Sequence, residues 1–381
     1  MAFIYTGSVI FIAGAILGFL LHRSDYCMAG MFRDLFLFRN SPLLRIFFVQ
    51  VFVTMLLFYI ARALGLIDLY PPPNLREGSL LTFAGGVIFG TGMVLAGGCV
   101  IGTLYKMGSG SAGAAIGFTG LLLGSAFYAE AYPFFNRLHK DTILSNIVLL
   151  GQTGFGEVLF AVAFVFSGIL ILIWTKKGKL YQRAFAEGYI QPLKTAVFIS
   201  FINLIVYLSA HTPMAISTAY AKISAFLEKL LIPEHYNSLE FFRRFSYSVI
   251  APDGTAVMGG AGATVDHVFI AEMPLLVGVI LGSFFSSVTL GEFRPFRRLP
   301  PLRQVISALS GGILLGLSSR MAGGCNVKFL MSGLPLLSIQ GFLFLAGILP
   351  GTYLGTLIFK KVIISGESGS GGPVTVQAKN N

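Results

Sequence analysis

Charge is scarce in this chain. Only 11% of its residues are Asp, Glu, Lys or Arg, against roughly 25% in ordinary soluble domains. Cysteine is scarcer still, at 3 in 381 residues, which excludes a disulfide-stapled secreted module. No cysteine has a CxxC partner and no two histidines stand at HxxxH spacing, so four-ligand zinc chemistry lacks its signature. A Walker-type phosphate loop and an HExxH motif are also absent, which argues against ATP-driven transport by this chain alone and against zinc proteolysis. The expectation is therefore no catalytic residue, no metal and no cofactor.

What is abundant is apolar surface and glycine. Hydrophobic residues make up 55% of the chain, mean hydropathy is +0.79, and 46 residues are glycine. Disorder and collagen are excluded by that balance. It fits an all-α polytopic membrane protein, in which small residues let helices pack closely or break. The net charge of +11 needs no nucleic acid, because positive-inside loops explain surplus Lys and Arg in a membrane protein. Residues 1–21 are apolar but lack a basic start and a cleavage site, so they read as a span and not as a signal peptide.

Apolar stretches predict nine spanning helices, at 3–22, 46–66, 81–96, 112–128, 155–175, 195–210, 270–290, 304–319 and 337–359. The third, sixth and eighth are short for a bilayer and run into Gly, Pro or polar residues, so further short helices should complete them. The loops divide by charge. Segments 23–45, 104–111, 176–194, 291–303 and the C-terminal tail hold 17 Lys and Arg with 5 Asp and Glu. Segments 67–80, 129–157, 212–272 and 320–336 hold 9 with 11. The first group is then cytoplasmic, with the N-terminus outside and the C-terminus inside a bacterial inner membrane. The strongest anchors are Lys176, Lys177 and Lys179 and the cluster Arg294, Arg297, Arg298 and Arg303.

One sequence occurs twice. Residues 85–99 read GGVIFGTGMVLAGGC and residues 311–325 read GGILLGLSSRMAGGC, with seven of fifteen positions identical and no gap. The same offset maps the second, third and fourth spans onto the seventh, eighth and ninth. In the charge-based orientation each pair crosses in opposite directions, which is an inverted repeat of the kind carriers use. The expected organisation is an N-terminal repeat over 1–175, a cytoplasmic linker over 176–194, an inverted C-terminal repeat over 195–364 and a flexible tail over 365–381. In the long segment 227–270, Leu227 to Leu231 closes a short interfacial helix, and Pro252 through Gly262 reads as loop.

The repeated motif ends in Ala-Gly-Gly-Cys. Two adjacent glycines in an apolar run cost about 1 kcal/mol each relative to alanine inside a helix, so their recurrence marks a helix that stops. Gly97, Gly98, Gly323 and Gly324 are the expected break and anion site. Cys99 and Cys325 would lie at half-helix N-termini, where free N–H groups and the helix dipole favour an anion. The plain alternative is that Gly-Gly permits close packing and Cys fills space, which is less convincing for two equivalent copies than for one. Cys27, in LHRSDYCMAGMFRD after the first span, is a third candidate thiol near the cytoplasmic mouth. His211 and the Ser/Thr-bearing stretch to Tyr220 are its faint echo in the second half. Arg320, Lys328 and Lys106 could draw an anion into a vestibule, but snorkelling to headgroups is the favoured reading of each.

The paired Ala-Gly-Gly-Cys motifs and His-Arg-Ser-Asp-Tyr-Cys resemble the YeeE/YedE family of bacterial membrane proteins. Ile216 to Ala221 also looks like the YedE-type branch. The resemblance covers about residues 3–362. It implies transport of sulfur compounds, with thiosulfate as the characterised substrate, through an hourglass-like protein whose short helices meet at the membrane centre. It implies that Cys27, Cys99 and Cys325 form the pathway, and that a small cytoplasmic TusA/SirA-like sulfur carrier is the partner. The YedE-type branch keeps a selenium compound open as substrate. A membrane thiol oxidoreductase and a scaffold for a sulfur carrier are the readings from other classes. Three separated cysteines without CxxC speak against the first.

Overall fold

The computed structural model describes residues 2–39, 42–152, 154, 156–250, 254, 256–293, 295 and 300–361. Arg294, Arg297 and Arg298 of the expected basic anchor, Pro252 and Asp253, and the tail 365–381 lie outside the described residues. The chain is an all-α polytopic membrane protein. Nine helices among the described residues are long and apolar enough to span a bilayer. Each overlaps one of the nine apolar stretches of the sequence.

The first half runs α1 (Ala2–Ser24), α2 (Met28–Phe38), α3 (Pro42–Ala63), α4 (Leu80–Leu95), α5 (Val100–Gly108) and α6 (Ala112–Glu130). A surface helix α7 (Tyr132–Asp141) and the peripheral span α8 (Gly156–Lys176) follow. The second half runs α9 (Pro192–Ala210), α10 (Ser217–Leu231), the short α11 (Pro233–Ser238) and α12 (Glu240–Arg243), then α13 (His267–Thr289) and α14 (Leu302–Met321). A π-helical turn at Val327–Gly333 and α15 (Ile339–Phe359) complete it. The same order of long helix, break and shorter helix thus recurs: α1–α2 and α9–α10, then α4–α5 and α14 with the π-helical turn. The helices α5 and α10 and the π-helical turn are the short partners that the abbreviated third, sixth and eighth spans required, while α2 follows the full-length first span.

Glycine sets the packing. Helix α1 packs on α13, α4 on α15 and α6 on α14, so the chief partner of each of these helices lies in the other half of the chain. Each seam carries two glycines four residues apart on both sides: Gly14 and Gly18 against Gly278 and Gly282, Gly86 and Gly90 against Gly347 and Gly351, Gly120 and Gly124 against Gly312 and Gly316. A Cβ on Gly14 would stand 2.6 Å from the Leu275 carbonyl oxygen, and one on Gly86 or Gly90 would stand 2.6 Å from the Phe344 or Ile348 oxygen. Spacing of four residues puts both glycines on one helix face. Backbones then touch directly, which is how helices associate where lipid is as apolar as leucine. Helix α8 differs. It leans on α3 through stacked rings, Phe52 on Phe164 at 4.7 Å and Tyr59 on Phe160 at 4.9 Å, and is otherwise open to lipid.

The loops segregate by contact as they do by charge. Arg23 donates to the Gly188 carbonyl at 2.7 Å, and Tyr189 donates to Glu292 at 2.9 Å. On the opposite face Asn74 donates to the Pro213 carbonyl at 3.2 Å, and β1 (Gly78–Ser79) pairs with β2 (Ile143–Ser145). That face also carries an antiparallel hairpin of β3 (Phe245–Ile250) and β4 (Ala256–Gly260). The hairpin corrects the loop expected over 252–262, since Ala256 to Gly260 form a strand. The glycines that suggested a loop are needed for contact: a Cβ on Gly260 would meet the Arg244 carbonyl oxygen at 2.6 Å. Helix α10 begins at Ser217 and closes at Leu231, the end expected of the short helix there. Its Lys222, fully buried, holds the hairpin end by donating to Gly262 and Thr264 carbonyls and to Asp266 at 2.9–3.0 Å.

Gly18→Ala is expected to destabilise the protein by about 1–3 kcal/mol, the usual range for overpacking, because the new methyl meets the Val279 backbone. Gly113→Ala, where nothing lies within 4 Å, should leave thermal unfolding in detergent unchanged or slightly improved.

Candidate functional site

Helix α4 ends in a Schellman motif. Gly98 donates to the Met93 carbonyl and Gly97 to the Val94 carbonyl, both at 3.2 Å, which is the paired 6→1 and 5→2 pattern. Gly97 takes φ +67°, and Gly323 at the end of α14 takes φ +80°. Only glycine adopts this region without strain. Gly98 and Gly324 do a second task. A Cβ on Gly324 would lie 2.5 Å from Lys328 and 3.0 Å from the Phe329 ring, so the next short helix can turn back tightly over the break.

The breaks leave carbonyls pointing nowhere along the helix, and lysines answer them. Lys106 Nζ donates to the Gly97 carbonyl at 2.6 Å, and Lys328 Nζ to the Gly323 carbonyl at 2.5 Å. This corrects the snorkelling expected of both lysines. A cation at a helix C-terminus is also favoured by the dipole.

All three cysteines stand immediately before a helical segment. Cys27 precedes α2, Cys99 precedes α5, and Cys325 precedes the turn that opens at Asn326. All three are free thiols, 8%, 1% and 0% exposed, and belong to one continuous core. The Cys325 sulfur sits against the N–H groups of Val327 and Lys328 and the Ser217 hydroxyl, and the Cys99 sulfur against the Gly102 N–H and the Asn326 amide. Asn326 Nδ2 also donates to Met28 Sδ at 2.7 Å. The residue after Cys325 thus touches both Cys99 and the residue after Cys27. Tyr220 ties α10 to the start of α5 by donating to the Val100 carbonyl at 2.7 Å.

Polar capacity remains unused along this line. Arg320 Nε, near Cys325, is buried without a hydrogen-bond partner among the described residues, and the buried Tyr105 hydroxyl has only the Cys27 thiol beside it. Both are donors, and a buried unpaired donor costs about 1–3 kcal/mol. Weakly engaged donors beside two of the thiols suit a visiting acceptor. Cys27 lines a cavity of about 110 Å³ together with Asp25, Arg33, Asp34, Gly97 and Lys106. A larger groove of about 470 Å³ between α3 and α8, at Arg62 and Tyr70, contains none of the cysteines.

Sequence reasoning missed several of these residues. Arg320 does not snorkel: its guanidinium donates to Ser217 Oγ at 2.5 Å and Thr218 Oγ1 at 3.3 Å. Ser217 and Thr218 open α10 after His211, which takes φ +52°, much as Cys27 follows Asp25 at φ +47°. The echo of Cys27 in the second half is therefore a pair of hydroxyls. Glu272, counted with a loop, lies inside α13 and is buried. Asn326 carried one signal, its place directly after the motif.

The sulphur transport family matches residues 23–354, which include the breaks before all three cysteines, and the chain belongs to that family. Among its relatives is the thiosulfate transporter TsuA of Spirochaeta thermophila, 25% identical over 346 residues, which are 89% of this chain and 94% of that protein. The thiosulfate transporter TsuA of Escherichia coli is 24% identical over 361 residues, 90% of this chain and 91% of that one. The probable transporter YedE of Salmonella typhimurium is 26% identical over 183 residues, 47% of this chain and 42% of that one. The family and these relatives are transporters and not enzymes.

Gly97→Ala is expected to cost about 1–2 kcal/mol, the penalty of the left-handed region for a residue with a Cβ. Nothing lies within 4 Å of the added methyl, so the loss is purely conformational. Gly97→Asn should cost less, since Asn visits that region more readily, and thermal unfolding of the two variants tests the order.

Proposed function

We propose that this protein carries thiosulfate, or a closely related small sulfur oxyanion, through a path lined by Cys325, Cys99 and Cys27 in a bacterial inner membrane. The observation that carries the reading is the placement of three buried thiols at the starts of three short helices within one core. Gly97, Gly98, Gly323 and Gly324 make the breaks behind Cys99 and Cys325, and the turn at Asp25 makes the one behind Cys27. The relatives named as thiosulfate transporters support the substrate.

The chemistry suits a soft divalent anion. A thiol is a weak S–H donor with a polarizable sulfur, so it can meet the terminal sulfur of thiosulfate without holding it. Backbone N–H groups at helix starts supply fixed positive potential. The lysines nearest the breaks are occupied by glycine carbonyls, so the path offers weak donors in series and not a ring of free cations. Passage needs sites that admit the ion and release it. The element order that recurs across 1–175 and 195–364 fits two halves of inverted sense around the path, joined by 176–194. The loop charges support an outside N-terminus and a cytoplasmic mouth at the Cys27 cavity. A TusA/SirA-like sulfur carrier would take over the product there, beside Arg33 and Lys106.

Uptake of labelled thiosulfate into proteoliposomes tests the reading, with selenite and sulfate as competitors. Each single Cys→Ala variant is expected to lose at least tenfold in rate while remaining folded. Full uptake by the triple alanine variant would overturn the cysteine path, and strong competition by selenite alone would move the substrate to a selenium compound. Tyr105→Phe should slow uptake several-fold yet change the melting temperature little, because the hydroxyl it removes has only the weakly bonding Cys27 thiol beside it in the resting protein.

A further inference from the structure

The start of α10 already holds a carboxyl group, and it belongs to the chain. Glu272 Oε2 accepts the Thr218 N–H at 2.6 Å and the Ala219 N–H at 2.9 Å. Its side chain comes from the second turn of α13 and is 6% exposed. Arg320 binds the side chains of Ser217 and Thr218 from the other side, and its Nε is unspent. Ser217 in turn meets the Cys325 thiol. A narrow crevice lined by Asn74, Thr212, Tyr247 and Glu272 adjoins the hairpin side of the protein. This helix start has the parts of an oxyanion site: two aligned N–H groups, two hydroxyls and a guanidinium. It lies next to the first thiol of the path.

We propose that Glu272 is a stand-in for the substrate, and that an arriving dianion displaces its carboxylate from the start of α10 while Glu272 takes up one proton from water on the hairpin side. The inference rests on the thiosulfate reading given above. Charge balance carries it. The groups facing Glu272 are Arg320 on α14, Cys325 and Lys328 after the break, Lys222 on α10 and Tyr247 on β3. Lys222 is paired with Asp266 at 2.9 Å. Tyr247 and Cys325 carry no charge as hydroxyl and thiol. Arg320 remains, with Glu272 as its counter-charge; Lys328, buried and bound to the Gly323 carbonyl, is no fixed second cation. Even with Lys328 charged, a dianion is matched only when Glu272 is neutral. Leaving Glu272 ionised would put three negative charges against at most two positive ones, after the carboxylate had lost both N–H bonds in a buried place, and such a group is costly unless it is protonated. When the dianion moves on toward Cys325 and Cys99, Glu272 releases the proton to the same water and regains its two bonds.

Initial uptake rates measured against external pH test the gate. Thiosulfate remains a dianion across neutral pH, so the wild-type rate should fall with rising pH, by up to tenfold per unit, the limit for one proton. Glu272→Gln keeps an acceptor for the α10 N–H groups but cannot ionise. It is expected to transport with a clearly shallower dependence on pH, and what dependence remains reports Lys328 beside the site. A Glu272→Gln profile that follows the wild type would overturn the proposal. A second measurement needs no variant: adding thiosulfate to solubilised wild-type protein in weakly buffered solution should consume close to one proton per substrate bound. Binding without proton uptake would also overturn it. Wild-type protein that neither binds nor carries thiosulfate at any pH would instead bring down the thiosulfate reading itself.

Discussion

A backbone that stops being helical inside a membrane must find partners for its N–H and C=O groups, because lipid supplies none. Everything at the centre of this protein follows from that constraint. The carbonyl ends of the broken helices are closed by lysines and by the Schellman pattern at Gly97 and Gly98. The N–H ends are left for thiols, for hydroxyls and, at α10, for a carboxylate. Negative helix ends are neutralised within the chain, while positive ends face thiols, hydroxyls and the Glu272 carboxyl group. A single polarity therefore runs through the site without a row of free cations.

The glycine seams serve the same arrangement. Close contact between α4 and α15, and between α6 and α14, leaves no slack for the breaks to collapse into. The short helices are then held from several directions. Asn326 reaches Met28 at 2.7 Å, and Tyr220 reaches the Val100 carbonyl at 2.7 Å. These contacts join segments far apart in sequence, and each ends beside a cysteine. Rigid positioning matters because S–H donors are weak and act only when aimed.

Much of this was legible in the sequence. Apolar run length set the nine spans, and the Gly-Gly-Cys repeats marked where two of them stop, because both signals are local. The lysines were misread for a physical reason: snorkelling is the cheap default for a terminal lysine, but a broken helix offers a nearer acceptor. Strand β4 was read as loop because its glycines looked like turn residues when they were contact residues. Arg320, Ser217 and Glu272 come together from three helices, and no spacing rule connects positions 217, 272 and 320. The hydroxyls of α10 lay in the Ser/Thr-bearing stretch after His211, an echo of Cys27 that was faint because the second half answers the thiol with different chemistry on a similar backbone.

The pairing of α1 with α13, α4 with α15 and α6 with α14 also bears on how the molecule is made. Each of these early helices enters the membrane long before its principal partner has been synthesised. Until then its glycine face meets only lipid, which cannot fill a groove shaped for another backbone. The first half of the chain is thus an unfinished surface and not a nascent domain. Assembly must wait for the last helices, and a ribosome that stops early leaves a membrane-bound fragment with three open seams for quality-control proteases to find.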